Sequence, residues 1–98
     1  MDRYELLVSP MVVVELAYLR ETGKVYASPE SILDGLYQTI DLRICSLAFD
    51  RVARVAAGEA WTRDTFDRLI VANAKANGEA PLISADSLIA EHYPNTIW

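Results

Sequence analysis

Short apolar runs alternate with longer segments of helical spacing along this 98-residue chain, and this alternation restricts the fold more than any other feature. The short runs have the length of buried strands, whereas the segments between them repeat apolar residues every three or four positions. Such alternation is typical of α/β folds, in which helices cover both faces of a mostly parallel sheet. We therefore predict a single α/β domain over residues 1–98.

Capping and terminating residues give the expected boundaries. Ser9 and Ser28 each precede a proline, which predicts that a serine caps a helix and the proline occupies its first position. Gly23 and Gly78 follow helical stretches and predict their ends. The predicted strands are 4–8, 42–47, 82–84 and 96–98. The predicted helices are 10–21, 30–39, 49–60 and a fourth that begins at 64 or 65 and ends near 77, followed by a helical turn over 86–91.

Composition restricts the partners that the chain can have. The hydrophobic fraction of 52% suits a folded domain, and the formal net charge of −5 argues against broad attraction to nucleic acid. It leaves open an enzyme whose clustered acids bind cations, and a basic protein partner. Cys45 cannot form an intramolecular disulfide and is predicted to be buried. No apolar run has membrane-spanning length and no signal segment opens the chain, so we expect a cytoplasmic protein without a membrane partner.

Four acids lie in settings that suggest metal binding. Glu15 occupies a largely apolar run after the first predicted strand, and Asp86 follows the third, at the strand ends where such sheets bind ligands. Asp64 and Asp67 lie one helical turn apart. Converging carboxylates would suit Mg²⁺ or Mn²⁺. Structural roles stay open: Asp64 can cap a helix, Asp86 can begin a turn, and Glu15 can be a solvated helical acid.

Three segments, taken together, resemble a PIN domain of the VapC type, the toxin half of many bacterial and archaeal toxin–antitoxin pairs. LLVSPMVVVELAYLRETGKV is similar to the family's second strand and the helix that carries an acid, here Glu15. RDTFDRLIVANAKANGEAPLISAD is similar to its acidic helix and the following strand that ends in Asp, and YPNTIW to its last strand. The resemblance implies a three-layer α/β/α arrangement with a mostly parallel sheet.

The activity that the resemblance implies is RNA cleavage dependent on Mg²⁺ or Mn²⁺ and inhibited by an antitoxin. Glu15, Asp67 and Asp86 would be the catalytic metal ligands, with Asp64 as a supplementary one. A bound metal would activate water for in-line attack on a phosphate. Arg68 would contact RNA phosphate or pair with Asp64, and the ion pair is the more expected role. Ser84 would form hydrogen bonds near the site or stabilise a turn.

The chain departs from the family at its start. The family opens with a strand that ends in Asp and about two helices before any stretch like LLVS, and no counterpart precedes Tyr4. We therefore expect an N-terminally truncated PIN-like fold that lacks the first active-site Asp and forms a homodimer. The alternative is a catalytically incomplete module that self-associates or binds an antitoxin without cutting RNA. The residues expected at the antitoxin surface are Tyr18, Leu19, Leu36 and Tyr37.

Overall fold

Helices and short parallel strands alternate through residues 5–97, the part of the chain that the computed structural model describes. Five helices and four strands lie in this part. The chain divides into two compact units, the first ending at Ser46 and the second beginning at Leu47. The predicted α/β class and the parallel pairing of strands are confirmed. The three-layer arrangement stays a prediction.

The first unit contains one parallel strand pair and two helices. Its elements are β1 (Leu7–Val8), α1 (Met11–Glu21), α2 (Pro29–Ile40) and β2 (Arg43–Ile44). Leu7 of β1 lies opposite Arg43 of β2. The connection between the two parallel strands runs through both helices, which is the usual way to join parallel neighbours. Cys45 directly follows β2 and is buried, as predicted.

The helix starts in this unit agree with the sequence to within one residue. Ser28 is the N-cap of α2, and its hydroxyl accepts the backbone N–H of Ser31 at 3.2 Å. The first helix begins one position later than predicted, because Pro10 is its N-cap. Ser9 nevertheless provides an acceptor for one first-turn N–H that has no partner within the helix, since its Oγ accepts the N–H of Met11 at 3.2 Å.

Backbone conformations with positive φ end three of the described helices, and at α2 the residue is Asp41, with φ 56°. Gly23 has φ 78° after α1, and the next N–H, from Lys24, donates to the carbonyl of Leu19 at 2.8 Å. This hydrogen bond defines a Schellman-type helix end, for which glycine is the preferred residue. Gly78 has φ 74° at the end of the longest helix of the second unit, and Glu79 follows with φ 58°.

The second unit contains a further parallel strand pair and three helices. Its elements are α3 (Phe49–Ala57), α4 (Thr65–Ala76), β3 (Leu82–Ile83), α5 (Ser87–His92) and β4 (Thr96–Ile97). Leu82 lies opposite Thr96 in the strand pair. A buried cluster joins α4 to α5 and the residue that follows it. Its members are Val71, Ala74, Ile89 and Tyr93, with Trp61 and Leu82 packed against them.

Two predictions about the elements need correction. Hydrogen bonds join the described strands as two separate pairs and not as one sheet, and each strand is shorter than its apolar run. The third helix ends at Ala57, before the predicted residue 60. The reason is that the N–H groups of Gly58 and Glu59 donate to carbonyls three positions earlier, as in a 3₁₀ turn. Two predicted strand ends, Tyr4 and Trp98, lie outside the described residues.

Candidate functional site

Asp64 and Asp67 lie together at the start of α4. Asp64 is the N-cap, and its Oδ1 accepts the N–H groups of Phe66 at 2.9 Å and Asp67 at 3.1 Å. The capping role is therefore confirmed. Asp67 is half-buried in the first turn, where the helix dipole favours a carboxylate. The second oxygen of Asp64, Oδ2, forms no bond with a described residue, so capping leaves one oxygen available to a cation.

Asp86 repeats this arrangement after β3. Its Oδ1 accepts the N–H groups of Leu88 at 2.9 Å and Ile89 at 3.2 Å, so it is the N-cap of α5. Ser84 precedes it, and the Ser84 hydroxyl accepts the N–H of Asp86 at 3.1 Å. This local hydrogen bond fixes the turn between the strand and the helix. Asp86 thus lies just beyond the carboxyl end of a parallel strand, as predicted, with its Oδ2 unused by described residues.

Glu15 lies in the middle of α1 and is half-buried. It belongs to the first unit, whereas the three aspartates belong to the second. In neither unit do three His, Cys, Asp or Glu side chains of residues 5–97 lie close enough to hold a metal ion. The carboxylates nevertheless supply the oxygen donors that a hard divalent cation prefers, and two of them retain an unused oxygen.

Arg68 does not form the ion pair that the sequence predicted. Its Nε donates to the carbonyl of Thr62 at 2.8 Å, and no salt bridge joins it to Asp64. The reason is local, because the Asp64 carboxylate is turned towards the backbone of its own helix. The guanidinium is therefore oriented by a backbone carbonyl, and its Nη atoms have no ion-pair partner among the described residues.

The sequence interpretation missed a buried charge cluster in the second unit. Glu59 is only 4% exposed, and its Oε1 lies 2.5 Å from the Lys75 ammonium. Its Oε2 accepts the indole N–H of Trp61 at 2.7 Å. Trp61 in turn stacks on His92, with 4.8 Å between the ring centroids. Both carboxylate oxygens are in use, so this acid is not available to a cation, and removal of Lys75 would leave a buried charge without its ion-pair partner.

Two further buried polar groups lie near the same core. Asn73 is 7% exposed, and its Oδ1 accepts no hydrogen bond from a described residue. Tyr93 donates its hydroxyl to the carbonyl of Ala80 at 2.6 Å. Burial raises the pKa of this phenol, and the negative charge of Glu79 raises it further. Neither residue was predicted to matter, because nothing in the local sequence distinguishes a buried Asn or Tyr from an exposed one.

Comparisons with family models, with curated proteins and with solved structures gave no match for this chain. Among residues 5–97, no helix is both long enough and apolar enough to cross a membrane.

Proposed function

We propose that this chain is a VapC-like endoribonuclease, the toxin component of a toxin–antitoxin pair, and that it depends on Mg²⁺ or Mn²⁺. The observation that carries the proposal is the setting of Asp67 and Asp86. One lies in the first turn of a helix, and the other lies at the carboxyl end of a parallel strand. Ligands of open parallel sheets bind beyond such strand ends. The protein acts in the cytoplasm on RNA.

Each acid has a stated role in this proposal. Asp67 and Asp86 hold the cation, Asp64 supplements them through its Oδ2, and Glu15 is the further ligand that the sequence resemblance implies. A divalent cation, when bound, lowers the pKa of a coordinated water and neutralises charge on the phosphate. Arg68 contacts the RNA phosphate through Nη atoms that no described acid neutralises. Ser84 holds the turn that orients Asp86.

The proposal is tested by RNA cleavage with purified protein in Mg²⁺ or Mn²⁺ and in EDTA, comparing the wild type with Asp67→Asn and Asp86→Asn. We expect each variant to lose at least about a hundredfold in rate, because a neutral amide binds a divalent cation poorly. Asn is itself a good N-cap, so Asp86→Asn retains the start of α5 and separates metal binding from folding. Urea unfolding of each variant checks that the fold is retained.

Asp50→Asn is the matched control, because Asp50 is an exposed acid on α3 that only forms a long, 3.9 Å pair with Arg54. Its rate should equal that of the wild type. Unchanged cleavage in both Asp67→Asn and Asp86→Asn would overturn the assignment of the active site.

A second candidate function is a module that binds an antitoxin or a second copy of itself without cutting RNA. The observation that favours it is the exposure of Tyr18 on α1 and Tyr37 on α2, beside the half-buried Leu19 and Leu36. Large exposed apolar side chains on adjoining helices mark interaction surfaces. Folded protein that neither binds Mn²⁺ nor cleaves RNA, yet still associates, would favour this function over the nuclease.

A further inference from the structure

A groove of about 510 Å³ lies in the second unit, along the contact between α3 and α4. Its apolar lining comes from the small side chains of Ala53, Ala56 and Ala57 on α3 and from the larger Leu69 on α4. Ala57 is exposed, and the edge is formed by Phe49, which is half-exposed although its spacing predicted burial. The groove is open to solvent along its length, so a ligand would lie across it with one side against the protein.

The charged side chains that line this groove are all positive. Arg63 and Arg68 both line it, together with the hydroxyl-bearing Thr65, and none of the described lining residues is Asp or Glu. Neither arginine forms an ion pair with a described residue. Arg68 is also held in place by its hydrogen bond to the carbonyl of Thr62. Guanidinium groups match carboxylates well, because each can donate two parallel hydrogen bonds.

The groove is separate from the acids of the proposed nuclease site. At 3.6 residues per turn, Asp67 lies about 160° around α4 from both Thr65 and Leu69. The face of α4 that lines the groove is therefore the face opposite to Asp67. A ligand in the groove need not occupy the position of a bound metal.

We propose that this groove binds an acidic peptide segment of a protein partner. An apolar side chain of the peptide contacts Ala53, Ala56 and Ala57, and flanking peptide carboxylates bind Arg63 and Arg68. The chemistry of the lining favours a peptide over RNA. A floor of methyl groups offers no ring for base stacking, and Phe49 is the single aromatic side chain among the described lining residues. Tight binding of RNA also needs many phosphate contacts, which two arginines on an acidic protein do not supply. Arg68 is shared with the proposed RNA contact, so the inference is tested through Arg63 and does not depend on nuclease activity.

The experiment begins with a random peptide library displayed on phage and selected on the full-length chain, with counter-selection on Ala57→Glu. Glu at position 57 fills the groove and repels carboxylates, and Ala57 is exposed, so the substitution leaves the core unchanged. We expect the enriched peptides to combine Asp or Glu with Leu, Ile or Phe. Enrichment of basic or uncharged peptides, or failure to enrich any peptide that Ala57→Glu rejects, would overturn the proposal.

Fluorescence polarisation of one enriched peptide, in EDTA, then tests the arginines. Arg63→Gln should weaken binding at least about tenfold, because the neutral amide cannot form the charge-assisted pair with a peptide carboxylate. Arg54→Gln is the matched control, because Arg54 is an exposed α3 arginine that does not line the groove, and it should bind as the wild type does. Equal affinity of Arg63→Gln and wild type would contradict the proposal. Tighter binding of single-stranded oligouridylate than of the peptide, if Arg63→Gln abolishes it, would also contradict the proposal and would assign the groove to RNA.

Discussion

At the scale of single residues, the Tyr93 phenol is the clearest case of a side chain whose pKa is changed by folding. The side chain is 2% exposed, and its hydroxyl donates to a backbone carbonyl of Ala80. Burial disfavours the phenolate, and the nearby charge of Glu79 disfavours it further, so its pKa lies above the ordinary value of about 10. The stability of the protein must therefore depend on pH in the alkaline range.

The direction of this dependence follows from proton binding. Above about pH 10 the unfolded chain has lost the Tyr93 proton while the folded chain retains it, so the contribution to stability is full below that pH and falls as pH rises towards the folded pKa. Tyr93→Phe should remove this alkaline loss and should cost about 1 kcal/mol at neutral pH through the missing hydrogen bond. Urea unfolding from neutral to strongly alkaline pH measures both effects.

Tyr26→Phe is the control for this prediction, because Tyr26 is 98% exposed. It should lose stability at alkaline pH as the wild type does. An equally steep alkaline loss in Tyr93→Phe would contradict the assignment to Tyr93.

Single-residue features were predictable from the sequence only where the partner is close in the chain. The two possible roles of Asp64 were identified because a cap bonds to N–H groups two and three positions later. The Glu59 cluster was missed because Lys75 reaches Glu59 through tertiary packing, although Trp61 lies only two residues from it. The expected ion pair of Arg68 failed for a related reason, since a backbone carbonyl binds the guanidinium instead.

At the scale of elements, capping residues predicted the helix starts well, whereas the predicted strands were longer than the observed ones. Ser28, Asp64 and Asp86 all cap the helices that follow them. An apolar run shows that a strand is favourable, but the number of residues that pair depends on a neighbour that local sequence does not specify. The run 42–47, for example, yields a strand of only Arg43–Ile44.

The N-cap of α4 gives a prediction at this scale. Asp64→Ala should lower the free energy of unfolding by about 1 kcal/mol, because the N–H groups of Phe66 and Asp67 lose their acceptor. Asp64→Asn retains that acceptor and should lie within a few tenths of a kcal/mol of the wild type. Chemical unfolding followed by circular dichroism makes the measurement. Equal losses in both variants would mean that the charge of Asp64, and not its cap, stabilises the helix.

At the scale of the whole molecule, the strand pairs suggest self-association. Each described strand pairs along one edge only, and Ile83 is 60% exposed beside Ile97, which is also exposed. Parallel strands are usually covered on both faces, and exposed edges readily pair with another chain. We therefore predict a homodimer in solution at micromolar concentration.

Ile83→Lys should weaken this association at least about tenfold, since a charge at a strand edge opposes pairing. Sedimentation velocity over a range of concentrations gives the dimer dissociation constant. Tyr26→Lys is the matched control, because it adds the same charge at an exposed position outside the strands. A monodisperse wild-type monomer would contradict the prediction.

The registers of the two strand pairs also imply an order of folding. Pairing of β1 with β2 joins position 7 to position 43, whereas pairing of β3 with β4 joins position 82 to position 96. The first pairing closes a loop more than twice as long, which costs roughly 0.8 kcal/mol more in chain entropy because each doubling of loop length adds about 0.6 kcal/mol. Contacts that are local in sequence form faster. We therefore expect the strands of the unit that begins at Leu47 to meet first as the chain folds.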